Sequence, residues 1–434
     1  MTPPARPDPL APGTRPPAEE FRLGEIALTA YGPSLLGGFG VGAITPVLPL
    51  AALALGASAA QAGLIVALIM VGSLVASLPG SVVTARIGER AALVASALID
   101  SVMVVAMAFA PSLWALGAAA FALGMGQVVF GLARQTYLTE AVPVRLRARA
   151  LSTLGGVLRV GMFLGPLTGA AVIVVWDRRA VFLMAAVLLC AAAALAWRLP
   201  EVPGRRSERR AADVHVADVV RAHRRFLATL GVGIMLLMAV RGARMVALPL
   251  WAAHLGLSDA ATSLIVGVSW GVDTVLFYPG GWVMDRYGRR AAVWPTTFGM
   301  AVAFALLPFT TGFWSLLAVG VLVALGNGFG SGIVMTISAD ASPDVGRPQF
   351  LGAARFLGDL GGAGGPALVS VLTGLFSLAV GIGAVALLSV AAGAVLLTWL
   401  PRLTCGPARS VPPAEPGAEG RITPPEPTTP VQRS

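Results

Sequence analysis

The chain has 434 residues, of which 56% are hydrophobic and only 12% charged, with a formal net charge of +10. This excludes an ordinary soluble globular domain, which exposes a far larger charged fraction. All 31 basic residues are arginine, and their distribution makes the excess charge a signal of membrane topology rather than a nucleic-acid surface.

In chain order, Met1 to Glu20 is rich in proline and has no apolar run, so no cleavable signal segment is expected there. Residues 1–25 read as a disordered cytoplasmic tail. A bilayer core of roughly 30 Å needs about 20 apolar residues per helix. Such stretches then follow one another: 26–50, 58–83, 91–110, 113–138, 148–175 and 179–199, then 226–253, 260–284, 291–310, 313–339, 349–377 and 380–400. The expected fold is thus an all-α integral membrane protein with twelve transmembrane helices, six in each of the bundles 26–199 and 226–400. The charged segment 200–225 joins them, and 401–434, rich in Pro, Glu, Thr and Arg, reads as a second disordered tail.

One side of this arrangement holds Arg86, Arg90, Arg145, Arg147, Arg149, the connecting segment, Arg286, Arg289, Arg290, Arg347 and both tails. The other holds only Arg178 and Arg179, so the positive-inside rule places both termini in the cytoplasm. The expectation is a multi-pass monomer of the plasma (inner) membrane, with the lipid bilayer as its surroundings and no nucleic-acid partner. Cys190 and Cys405 are too few for a disulfide framework or a four-ligand metal site. Three histidines, two of them in the connecting segment, do not supply clustered catalytic groups, and no phosphate-binding Gly-rich loop followed by Lys exists. Neither an enzyme, nor a cofactor, nor a bound metal is expected.

The two bundles are related by a constant offset of 200 residues. Pro49-Leu50 matches Pro249-Leu250, Leu55-Gly56 matches Leu255-Gly256, and Pro79-Gly80 with Arg86, Gly88 and Arg90 matches Pro279-Gly280 with Arg286, Gly288 and Arg290. Gly126, Pro143, Gly161 and Gly165-Pro166 match Gly326, Pro343, Gly361 and Gly365-Pro366. Because six spans are an even number, the halves are parallel, pseudo-symmetric repeats. A site between them can be opened to either side by rocking.

Two local patterns stand out. At the turn after the eighth span, Gly281 is followed by Asp285, Arg286, Gly288, Arg289 and Arg290; the first-half copy has Ala85 opposite Asp285, with Glu89 nearby. In the fifth span, Gly161, Gly165-Pro166 and Gly169 form a bare ridge for close helix contact, bent at Pro166. The first pattern resembles the glycine, aspartate and arginine signature of the major facilitator superfamily, and the second resembles the motif of its drug:proton antiporter branch. The resemblance covers roughly 26–400 and implies the major facilitator fold, with Asp285 and its arginines latching cytoplasmic helix ends and the span-five ridge sealing against proton leak. Plain anchoring charges and ordinary small-residue packing are the alternatives. Members of the antiporter branch carry an arginine four residues before a Gly-x-Gly in span four; here Ala120 stands in that place before Gly124 and Gly126.

Ionisable groups at mid-span cost at least about 2.5 kcal/mol on insertion scales, so each one is a functional candidate. Asp273 and Asp359 rank first as proton carriers, with Arg159 and Arg355 as their partners. Arg159 and Asp273 sit at similar depths on spans that the resemblance places face to face, and Arg355 and Asp359 share a helix face. Each pair is either a coupling element or a permanent salt bridge. Arg241 and Arg244 in span seven either meet an anionic or carbonyl-bearing substrate or pair with an acid on another helix; with Gln127 and Asn327 at matching repeat positions, they are the substrate-cavity candidates. Asp100 is expected to bond to Ser101 or to span-two serines, and Arg134 to snorkel to the cytoplasmic surface. Trp251 is expected in the lipid-facing aromatic belt.

Two functions follow as expectations: proton-coupled export of small amphipathic compounds by alternating access, or proton-coupled transport of an anionic metabolite. The partners are then a small-molecule substrate and protons.

Overall fold

The structure, a computed structural model, describes residues 23–142, 144–200, 219, 221–343 and 347–404. With no water in the hydrocarbon core, backbone polar groups must pair within each segment, and the described residues are accordingly helical. The first half comprises α1 (Leu23–Ala54), α2 (Ala59–Ile87), α3 (Glu89–Ala108), α4 (Leu113–Ala141), α5 (Val144–Val175) and α6 (Arg178–Trp197). The second comprises α7 (Arg224–His254), α8 (Asp259–Tyr287), α9 (Arg289–Phe309) and α10 (Phe313–Asp340), then α11 (Arg347–Leu375) and α12 (Leu378–Thr404). Eleven of these are apolar enough to be recognised as spans on composition alone. The twelfth, α11, is long enough at 29 residues, but glycines, Arg355 and Asp359 dilute its apolar character.

The helices run past the apolar stretches that announce them. α1 already includes Leu23, α7 includes Arg224 and α12 continues to Thr404, so each expected boundary at 25, 225 and 401 falls inside a helix. Helical hydrogen bonding continues into the interface, where arginine heads are solvated, and hydropathy does not register that continuation. The rest of the expected tails and connector lies outside the described residues.

The repeat register is visible in the backbone. Among the described residues, positive φ occurs only at Gly56 and Gly256 (85° and 71°) and at Gly88 and Gly288 (87° and 83°). These turns need a residue without a Cβ. After the first pair, Ser58 and Ser258 accept the backbone N–H of Gln61 and Ala261 and start α2 and α8.

Glycine ridges set the packing inside each half. A methyl group added at Gly165 would be driven into the α1 backbone at Phe39 and Ala43, and one at Gly365 into the α7 backbone at Ala239. The exporter-like ridge of α5 therefore has a packing twin on α11, where Gly361 lies against Met235.

Between the halves, α5 meets α8 where Leu167 and Phe163 reach Gly267 and Gly271, and α2 meets α11 where Gly63 reaches Ser370. Away from the chain ends, one apolar core draws on both halves, including Val47, Ile65, Val66, Val246, Val266 and Val369. On the side bearing the chain ends the cores are separate, one around Tyr31, Phe130 and Leu154 and the other around Ile234, Phe350 and Leu396. The halves are joined on the far side and part toward the termini.

Candidate functional site

The cleft between the halves is built around Asp273 on α8, which is 9% exposed. Its two carboxylate oxygens accept from Asn327 Nδ2 on α10, both at 2.8 Å. Arg244 of α7 approaches to 3.4 Å and Arg159 of α5 to 3.9 Å, the latter across the boundary between halves. Arg159 also lies over the ring of Phe277, 4.6 Å from its centroid, a cation–π seat for a guanidinium that is 28% exposed. Arg244 is buried, and its Nε and Nη2 have no partner.

The paired depths of Arg159 and Asp273 thus become a contact, and Arg244 joins it as the nearer partner, the pairing with an acid on another helix that is one of its two expected roles. Asn327, expected as a free cavity amide, is committed to the same carboxylate. Arg241 takes a role that its place in the sequence does not announce. Its Nη2 donates to the carbonyl of Gly330 at 2.7 Å, where α10 is interrupted between Phe329 and Ile333. The run Gly326-Asn-Gly-Phe-Gly-Ser-Gly332 is the available signal for that break, since several glycines weaken a helix.

The first half repeats the amide and acid theme on different helices. Gln127 of α4 donates to Asp100 of α3, a fully buried carboxylate whose other oxygen has no partner. This corrects the expectation for Asp100. Successive helical residues point about 100° apart, so Asp100 faces Gly126 on α4 while Ser101 turns to α6 and donates to Ala186 O at 2.9 Å. No arginine among the described residues pairs with Asp100. Asp100→Asn preserves the acceptor for Gln127 and should therefore shift stability by less than about 1 kcal/mol and leave transport intact. Thermal unfolding in detergent and flux measurements check this; a collapse of flux with a normal unfolding midpoint would make Asp100 a proton site instead.

Arg355 and Asp359 do pair on α11, Nε to Oδ2 at 3.7 Å, with both side chains substantially exposed (55% and 41%). Arg134 lies over the ring of Phe130 at 5.9 Å and borders a cavity of about 190 Å³ with Gln127, Leu158 and Met162, so it is a cleft residue rather than a snorkelling one. On the far side, Arg178 of α6 binds Asp259 of α8 at 3.0 Å and donates to Leu50 O at 2.7 Å, tying the halves together there. In the sequence Arg178 stands out only as a topology marker.

In the turn after α8, Gly288 supplies the positive φ, and Arg289 grips Asp340 of α10 through Nε and Nη2 at 2.9 and 3.3 Å. Arg290 donates to Leu397 O of α12 at 3.3 Å, and Arg286 packs against Trp282 and Tyr287. Gly281 has open space around it, and Asp285 is exposed, with no ion pair among the described residues. These arginine contacts stay within the second half. Trp251, expected in the aromatic belt, is instead buried and donates to Thr310 Oγ1 at 2.8 Å; a polar partner inside the bundle satisfies its N–H.

Comparison with known proteins gives a consistent picture. The sequence profile of the Major Facilitator Superfamily matches residues 34–240 and 230–430. The Multidrug resistance protein MdtG of Enterobacter lignolyticus (strain SCF1) is 27% identical over 175 residues, a match that spans 38% of this chain and 40% of that protein. Among solved structures, a bacterial homolog to the human lysosomal transporter Spinster superposes with a TM-score of 0.71 at 15% identity, covering 86% of this chain and 96% of that one. The nucleoside transporter NupG gives 0.70 at 13% identity, covering 86% and 99%. A D-xylose-proton symporter gives 0.67 at 15% identity, covering 86% and 96%.

Proposed function

The chain belongs to the Major Facilitator Superfamily, and from that premise we propose a proton-coupled exporter of small amphipathic compounds that works by alternating access. As a member of the family it is a multi-pass membrane transporter of small molecules and not an enzyme. The positive-inside distribution of arginine supports cytoplasmic termini in the plasma membrane, which makes the cleft open to the cytoplasm and puts the Arg178 to Asp259 tie on the outer face.

The observation that carries the coupling is the grip on Asp273 from both halves. Ionised, its carboxylate holds Arg159 of the first half beside Arg244 of the second. A proton there removes the charge that holds Arg159, and the preferred packing of the halves changes with it. Export as the direction is supported by the multidrug resistance relative and by the glycine-proline ridge of α5.

Reconstituted vesicles test this reading. An imposed pH gradient should drive uphill movement of a panel of amphipathic dyes, and collapsing the gradient with a protonophore should abolish it. Flux that ignores the gradient, or no flux of any dye, would defeat the proposal.

A further inference from the structure

The terminal-side mouth of the cleft is positively charged on both walls. On the first half, Arg134 of α4 has no carboxylate partner among the described residues; it borders the 190 Å³ cavity whose apolar surface comes chiefly from Val41, Phe130, Leu158 and Met162. Gln127 borders the same cavity. One N–H of its amide donates to Asp100, and its carbonyl oxygen is an acceptor. On the second half, Arg355 of α11 presents a half-exposed guanidinium on the same terminal side, and Asp359 engages only one edge of it at 3.7 Å. Deeper in, Arg159 and Arg244 share the carboxylate of Asp273, and Arg241 lies one helical turn before Arg244. Arginines outnumber aspartates throughout the cleft, and a cleft lined with one sign of charge concentrates the opposite ion.

Like charges on opposing walls resist bringing those walls together. A guanidinium beside an apolar pocket is also suited to a planar carboxylate on an apolar body. We infer that the cleft takes small amphipathic organic anions, and that an anion seated on Arg134 and facing Arg355 is what allows the terminal side to close. The apolar body would rest against Val41, Leu158 and Met162 of the cavity wall, and a hydroxyl or amide N–H on the substrate would donate to Gln127. Empty, the mouth stays open by repulsion; loaded, it closes. This rests on the transporter reading of the same cleft and narrows it to a substrate class.

The probes are salicylate, which has a carboxylate and an adjacent hydroxyl, and salicylamide, its neutral counterpart. Spin labels at Thr139→Cys on α4 and Gly352→Cys on α11, with Cys190 and Cys405 replaced by Ser, report the width of the mouth in purified full-length protein. Salicylate should shorten the distance and raise the unfolding temperature, and salicylamide should do neither. Loss of a charge-assisted contact should weaken the salicylate response at least about tenfold in Arg134→Ala. Arg355→Ala serves as a second variant if the first does not fold, because its side chain is half exposed. Arg134→Glu should shorten the distance without any anion, by pairing with Arg355. Equal responses to the two probes, or a salicylate response untouched by Arg134→Ala, would overturn the inference. If that happens while gradient-driven dye flux persists, the anion class falls and the exporter reading stands. A normal salicylate response with no gradient-driven flux overturns the exporter reading and leaves the anion class standing.

Discussion

Asp273→Asn is expected to abolish uphill, pH-gradient-driven transport, with a loss of at least about tenfold, while exchange of substrate for substrate continues. The variant keeps the shape of the side chain and an oxygen for Asn327, now 2.8 Å away, so the local geometry of α8 against α10 survives. What disappears is the charge that compensates the buried Arg244, which costs stability, and that holds Arg159 across the boundary between the halves. Arg159 has somewhere to go: it is partly exposed and already stacked on Phe277. The halves should then rock without waiting for a proton, which is the signature of an uncoupled carrier. Reconstituted vesicles separate the outcomes. If uphill transport persists, Asp273 is not the proton-responsive group; if exchange also vanishes in folded protein, it holds the structure or the substrate rather than coupling.

The second large effect concerns stability. Arg244→Ala should lower the free energy of unfolding by about 3 kcal/mol, because removing one partner of a buried pair leaves an uncompensated charge. Arg244 is 5% exposed and sits 3.4 Å from Asp273, so water does not replace it readily. Arg159→Ala should cost less than about 1 kcal/mol, since its contact is longer and partly solvated. Asp273→Asn alone strands the buried Arg244 in the same way and should cost a similar amount, so the double mutant should cost no more than either single change, giving a coupling energy of about 3 kcal/mol in a double-mutant cycle. Unfolding midpoints in detergent measure all five proteins, the wild type included. Additive losses would mean that the two side chains do not stabilise one another and that the cluster is held by Asn327 alone.

These contrasts divide the cluster into a fixed part and a movable part. Arg244, Asn327 and Asp273 lie on helices of one half and pack together, and Arg159 arrives from the other half. The far-side tie from Arg178 to Asp259, with both side chains about one third exposed, belongs with the movable part. Rocking must break it, and a partly solvated pair of this kind is weak enough to break.

The spans, the 200-residue register and the turn glycines are legible in the amino-acid sequence. Apolar length and residue count set these directly, at about 1.5 Å of rise per residue. Of the charged and amide residues singled out there, Arg159, Arg244, Asp273 and Asn327 meet in one cluster, and Arg355 pairs with Asp359. Rotation about each helix axis is not legible there. Helices that are apolar on nearly every side have no polar stripe to orient them, so close packing at glycines decides which way each side chain points. That is why Gln127 reads as facing the cavity alone although it also holds Asp100, why Arg241 reads as a substrate ligand although it holds the broken turn of α10, and why Arg134 reads as snorkelling although it borders the cleft. Tertiary structure alone decided those partners. It also decided which side of the molecule is closed, because only the packing of two complete halves leaves one shared core on the far side and two separate ones toward the termini.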